Sequence, residues 1–228
     1  MVRVPFSVRS VAFSLSVLAL ACPGQARAES PPGERHDGFY LRFAGGPGSI
    51  DVERRTEHMG GSATLAYSGD SSSVSGWAPF GEVSVGGTPF EHVVIAGTLL
   101  GWLMPAPELT VGGGPRFGLT GPLAVFLLAP TVDVFPNPLG GLHVGGGAGI
   151  AGATVRIDDP FFRTIGGTGA GVTVQMGYDF WTSDEWSVGL LGRGTFAVIG
   201  SEQETSSVTG HERDAVSSFA FTATLLYH

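Results

Sequence analysis

The sequence predicts an all-β protein, specifically an eight-stranded antiparallel up-and-down transmembrane β-barrel. Segments that alternate apolar and polar residues recur along the chain, and this period of two is typical of strands with one apolar face. The connections between these segments alternate long and short, as in small outer-membrane barrels with short periplasmic turns and longer extracellular loops. The longest charge-free apolar windows, residues 92–107 and 117–132, are broken by Pro and Gly and do not predict a membrane-spanning helix.

The composition excludes several classes of protein. The chain has 228 residues, 37 Gly, 14% charged residues and a formal net charge of -8, and it contains no Lys. Few charges among many apolar residues argue against disorder, and an acidic chain without Lys is a poor nucleic-acid binder. Because Cys22 is the only cysteine and lies in the export region, the mature chain is expected to hold no disulfide and no thiolate-bound metal.

Residues 1–28 have the pattern of a secretory signal peptide. Arg3 and Arg9 give a positive start, residues 11–21 are apolar, and residues 26–28 form an A-x-A cleavage site. A lipoprotein-type cleavage before Cys22 is the alternative. We therefore expect a signal peptide at residues 1–28, a polar Pro-rich linker at residues 29–37 and a barrel at residues 38–228.

Eight strands can be assigned in order along the chain. They are expected at residues 38–44, 78–87, 93–104, 120–134, 140–155, 169–180, 186–198 and 215–228. Prolines at positions 122 and 130 weaken the fourth strand, because Pro cannot donate to the ladder. Three connections are short turns and four are long polar loops. The turns are residues 88–92, 135–139 and 181–185, and the loops are residues 49–77, 105–119, 156–168 and 199–214.

The hairpin at residues 169–198 shows the two faces most clearly. One face of its first strand carries Val172, Val174 and Met176, and the opposite face carries small or polar residues. In a membrane barrel the apolar face contacts lipid, and aromatic residues mark the membrane interface. We expect a periplasmic aromatic girdle formed by Tyr178, Phe180, Trp181 and Trp186.

The segments GFYLRFAGGPG, GYDFWTSDEWSVGLLGR and the closing strand at residues 215–228 carry a resemblance to a known group. The chain is similar to the OmpW/OmpA-type small outer-membrane β-barrels. This resemblance implies insertion into the outer membrane of a Gram-negative bacterium, contact with its lipids, and no enzymatic activity in most members. It also implies that the assembly machinery of that membrane reads the C-terminal strand, although His228 here follows the aromatic Tyr227.

A polar network is expected in the lumen, on the face opposite the lipid. Charged groups there must pair, since an eight-stranded barrel leaves room only for side chains. Arg42 and Glu82 lie on neighbouring strands at similar heights, so we expect them to be close. The network comprises Arg42, Glu82, Asp133, His143, Gln175, Asp179 and Arg193.

The predicted role is structural or surface-related, with passage or binding of an unidentified small solute as an option. A gated polar path with Arg42 and Glu82 as the gating pair is the sharper alternative. Two others are a lipid-modifying outer-membrane enzyme and a soluble periplasmic lipocalin-like binder with its apolar faces turned inward. The histidines are scattered and no catalytic, metal or cofactor motif is present, so we expect no catalytic residues, metal or cofactor.

Overall fold

The computed structural model describes residues 38–57, 72–111, 114, 116–118, 121–137, 140–155, 165–205 and 208–227. The predicted signal peptide and linker, residues 1–37, lie outside the described residues. Among the described residues, no helix is long and apolar enough to cross a membrane.

Ten strands make up the described chain. They are β1 (Gly38–Glu57), β2 (Ser72–Phe90), β3 (Val93–Met104), β4 (Glu108–Val111), β5 (Arg116–Gly118), β6 (Leu123–Val134), β7 (Leu142–Val155), β8 (Ile165–Trp181), β9 (Trp186–Thr205) and β10 (Val208–Tyr227).

Eight of these strands close into a barrel. Going round it, β1, β2, β3, β6, β7, β8, β9 and β10 pair antiparallel with their neighbours, and β10 pairs with β1 to complete the circle. Closure leaves the barrel wall without a free edge. The remaining strands, β4 and β5, form a short hairpin that pairs with the start of β2. The predicted fold, an eight-stranded antiparallel up-and-down barrel, is confirmed.

The predicted assignment of faces also agrees with the structure. Along β8, Val174 is 65% exposed and faces outward, whereas its neighbours Thr173 and Gln175 are buried and face the lumen. The same alternation runs through β3, which is apolar on both faces and whose orientation the sequence left open. Every barrel strand carries large apolar side chains on its outward face. A closed sheet with an apolar exterior suits the hydrocarbon core of a membrane, because every backbone N–H and C=O group there must be hydrogen-bonded within the protein.

The strands extend further into the predicted loops than expected. The predicted loop at residues 49–77 contains the end of β1 and the start of β2, and the predicted loop at residues 199–214 is mostly the ends of β9 and β10. Beyond the lipid both faces of a strand meet water, so the apolar–polar alternation that reveals a strand is lost there. The predicted connection at residues 105–119 likewise contains the β4–β5 hairpin.

Proline is accommodated in β6 at a local interruption of the ladder. Pairing of β6 with β7 passes from Leu128–Ile150 to Thr131–Gly147 without a change of register, and it leaves out Ala129 and Pro130 on β6 and the two residues opposite them on β7. On its other side Pro130 stands opposite Gly97 of β3. The missing N–H of Pro130 therefore falls at the seam with β7, and the strand continues through it to Val134.

Candidate functional site: the polar layer of the lumen

All seven residues of the expected network point into the lumen. Each stands at an inward position of its strand, and none is more than 5% exposed. They come from six strands, β1, β2, β6, β7, β8 and β9, so the network can form only when the barrel closes. The seven residues are Arg42, Glu82, Asp133, His143, Gln175, Asp179 and Arg193.

Arg42 is the centre of the network. Its Nη2 and Nε donate to Oε1 of Glu82 at 2.7 and 2.9 Å, so the pair expected to be close is in direct contact. Nη1 of Arg42 donates to Oδ2 of Asp133 at 3.1 Å, and Nη2 also reaches Oε1 of Gln175 at 3.1 Å. Arginine suits this position because its planar fork can bind several acceptors at once.

Arg193 binds the other side of the same carboxylate. Its Nη2 donates to Oε2 of Glu82 at 2.6 Å and contacts Oε1 of Gln175, and its Nη1 donates to Thr173 at 3.0 Å. The side-chain amide of Gln175 donates to Asp133. The two arginines thus share Glu82, each on its own oxygen, and Gln175 links both to Asp133.

A row of hydroxyl groups extends the network across three strands. Ser84 donates to Oε1 of Glu82 at 2.7 Å and lies 2.9 Å from the hydroxyl of Thr98, which lies 2.7 Å from that of Thr131. These three hydroxyl residues were not among those expected from the sequence. The available signal was a small polar residue at an inward position of each of three adjacent strands.

His143 stands between two carboxylates. Its Nδ1 lies 3.5 Å from Oδ1 of Asp133, and its Nε2 lies 3.5 Å from Oδ2 of Asp179. The imidazole stacks on Phe135, with ring centroids 5.1 Å apart. A Cβ built on Gly177 would lie 2.5 Å from Nε2 of His143, so glycine at this position leaves the room that the imidazole occupies.

Two apolar layers close the polar layer on both sides. The layer at the short-turn end consists of Tyr40, Val94, Ala96, Phe135 and Leu226. The layer towards the loops is larger and includes Phe80, Leu100, Trp102, Met104 and Leu127. Each arginine also meets an aromatic ring, Arg42 that of Tyr40 at 5.8 Å and Arg193 that of Phe80 at 5.9 Å. The charged groups are therefore enclosed by side chains on both sides, an arrangement that did not follow from the sequence.

The residues expected to form the aromatic girdle lie at the short-turn end of the barrel. Tyr178 and Phe180 face outward with rings 4.8 Å apart, and the outward Trp186 packs edge-on against Tyr227 at 5.2 Å. Trp181 differs, because it has the inward parity of β8 and is half-buried. The described residues contain no group of three or more His, Cys, Asp or Glu that could hold a metal ion.

The comparison with known proteins shows a likeness of fold. No protein-family description and no curated protein matches the sequence. Among solved structures, the outer membrane protein OprG from Pseudomonas aeruginosa superimposes with a TM-score of 0.52 at 13% identity, covering 86% of this chain and 99% of OprG. The outer membrane protein AlkL matches at a TM-score of 0.49 and 10% identity, covering 90% of this chain and 94% of AlkL.

The chain therefore has the fold of a small outer-membrane β-barrel, as predicted. Its apolar exterior places the strands in lipid, and the predicted outer-membrane location agrees with both the fold and this exterior. The lipocalin-like alternative required apolar faces turned inward. In the structure those faces, with Val174 and Leu190 about two-thirds exposed at 65% and 66%, point outward, so that alternative is wrong.

Proposed function

We propose that the protein is a closed outer-membrane barrel with a structural or surface role, whose lumen does not conduct ions in its resting form. The full burial of Arg42 and Arg193, both 0% exposed, carries the proposal. An open aqueous pore would hydrate such guanidinium groups, whereas here carboxylates, amides and hydroxyls take the place of water. An eight-stranded barrel also has an interior that side chains can fill.

Conductance in planar bilayers tests the closed lumen. The refolded wild-type barrel is expected to give no stable current steps. Folding of each sample is verified beforehand by its heat-modifiable migration on a detergent gel. Reproducible steps from heat-modifiable wild-type protein would overturn the proposal.

A gated polar path is the second candidate, favoured by one observation. The contacts between Arg42, Glu82 and Arg193 cross the lumen at one level, so breaking them would remove the polar obstruction. If these contacts are the gate, Glu82→Ala should produce current that the wild type lacks. If they are structural, the apolar layers on either side keep the variant silent, with Glu91→Ala on an exposed turn as the matched control.

A non-enzymatic role is part of the proposal. His143 is the one histidine of the network, and it is fully buried with a carboxylate at each ring nitrogen. This position gives it no access to an acyl chain or a headgroup. Expression of the protein should therefore leave lipid A and phospholipid acylation unchanged by mass spectrometry, and a new acylation product would favour the lipid-modifying enzyme.

We also propose that β10 is read by the outer-membrane assembly machinery. The outward face of β10 supports this proposal. Phe221 and Leu225 are exposed on that face, and the strand ends at the aromatic Tyr227. Outer-membrane fractionation of the expressed protein, combined with heat-modifiable migration, tests location and assembly together. Recovery of folded protein in the soluble periplasmic fraction would contradict the proposal.

A further inference from the structure

The fixed charges of the polar layer do not balance. Two arginines stand against three carboxylates, and none of the five side chains is more than 4% exposed. With a neutral His143, one negative charge is left over in a space that apolar layers enclose on both sides. An unbalanced buried charge is costly, so a group in the layer is expected to take up a proton. The five are Arg42, Arg193, Glu82, Asp133 and Asp179.

The surplus charge is localised by the contacts. Glu82 lies between the two arginines, and Asp133 receives Nη1 of Arg42 at 3.1 Å. Asp179 has no arginine within ion-pair distance among the described residues. Its polar neighbours include the hydroxyl of Thr224 at 3.5 Å and Nε2 of His143 at 3.5 Å.

The imidazole of His143 is placed to share that charge. Its two nitrogens face two different carboxylates, both at 3.5 Å, and only the doubly protonated ring has a donor at each nitrogen. A proton on Asp179 instead would turn its carboxylate into a donor towards the ring. In either arrangement one proton brings the layer to neutrality.

We propose that the folded lumen binds one proton, held by the His143–Asp179 pair, and that this proton neutralises the polar layer. The proposal rests on the closed lumen proposed above, because water entering the layer would screen the surplus charge. The other titratable or charged groups that the barrel strands turn towards the pair are Tyr40 and Arg42 of β1, Glu82 of β2, Asp133 of β6 and Arg193 of β9.

Proton binding by the folded state couples stability to pH. An unfolded histidine or aspartate releases its proton above about pH 6.5 or about pH 4. Above about pH 7 the folded barrel then holds one proton more than the unfolded chain, so raising the pH favours unfolding. The equilibrium constant for unfolding should rise about tenfold per pH unit between about pH 7 and pH 9.

Urea unfolding in phosphatidylcholine vesicles between about pH 7 and pH 9 tests this coupling, with Asp179→Asn as the variant. The amide removes the surplus charge, so its unfolding constant should not change with pH over this range. Asp184→Asn, on the exposed β8–β9 turn, is the matched control and should follow the wild type. A flat wild-type profile, or an Asp179→Asn profile parallel to the wild type, would overturn the proposal.

A measurement on the wild type alone covers the case in which Asp179→Asn does not fold. Unfolding at about pH 8 in weakly buffered solution, followed with an indicator dye, should release about one proton per chain. Release of none would overturn the proposal. Bilayer conductance separates this outcome from failure of the closed lumen, since a conducting wild type contradicts closure whatever the proton count.

Discussion

Arg193 of β9 donates to Glu82 of β2 at 2.6 Å, across the lumen and between strands that are not neighbours in the sheet. The backbone ladder ties each strand only to the next. This ion pair instead joins strands that are separated by β1 and β10, so it braces the barrel across its interior. Arg42 of β1 binds the same carboxylate from the adjacent strand.

The first prediction concerns this shared carboxylate. Glu82→Gln removes the carboxylate that both buried arginines contact directly, and breaking a buried pair from one side typically costs about 3–5 kcal/mol. We expect a loss of that order in the free energy of unfolding, measured by urea titration in vesicles. The control Glu91→Gln, on the exposed β2–β3 turn, should change it by less than about 0.5 kcal/mol. Equal small effects would mean that Glu82 is not a brace.

The second prediction concerns the room that glycine leaves for His143. A methyl group on Gly177 would press against Nε2 of the imidazole and against the backbone oxygen of Leu190. Gly177→Ala should therefore lower the free energy of unfolding by about 1–3 kcal/mol, the usual cost of overpacking. Gly81→Ala is the matched control, since a Cβ at Gly81 meets nothing within 4 Å. Similar stability of the two variants would show that the imidazole moves without cost.

The third prediction concerns the lipid-facing surface. Val174 is 65% exposed on the outer face of β8, and Arg at such a position costs about 2–4 kcal/mol near the bilayer midplane. Val174→Arg should lower the stability of the barrel in vesicles by that amount. Glu185→Arg, on the exposed β8–β9 turn, should have little effect. A neutral result for Val174→Arg would place this part of β8 outside the hydrocarbon.

The fourth prediction concerns assembly through β10. Tyr227 packs between Trp186 and Phe39, with ring centroids 5.2 and 6.2 Å away. Tyr227→Ala should reduce the heat-modifiable fraction recovered from the outer membrane of cells. Tyr178→Ala removes an outward aromatic at the same end of the barrel but from β8, and it should assemble more fully. An equal loss in both variants would point to the membrane interface and not to a C-terminal signal.

The sequence was sufficient for the fold and for the direction of most side chains, because lipid on one side and a narrow lumen on the other impose a strict alternation. It placed Arg42, Glu82 and Arg193 in the lumen for that reason. It could not tell that Arg193 reaches Glu82, since their strands are far apart in the chain and do not pair. Nor did it reveal that the rings of Tyr40 and Phe80 lie against the two arginines. An alternating pattern shows which face an aromatic residue is on, but it does not show which side chain the ring contacts.

The unequal length of the strands has a consequence for proteolysis at the cell surface. β1, β9 and β10 have 20 residues each, whereas β3 and β6 have 12, so one side of the barrel rises well beyond the other. In the described part of that rise the chain is hydrogen-bonded in a continuous ladder up to Glu57, which pairs with His211. A protease cleaves a segment only when that segment unfolds locally and enters the protease active site. Strands that are paired in a ladder unfold locally only rarely. The described part of the tall side should therefore resist digestion on intact cells, although it lies furthest from the lipid.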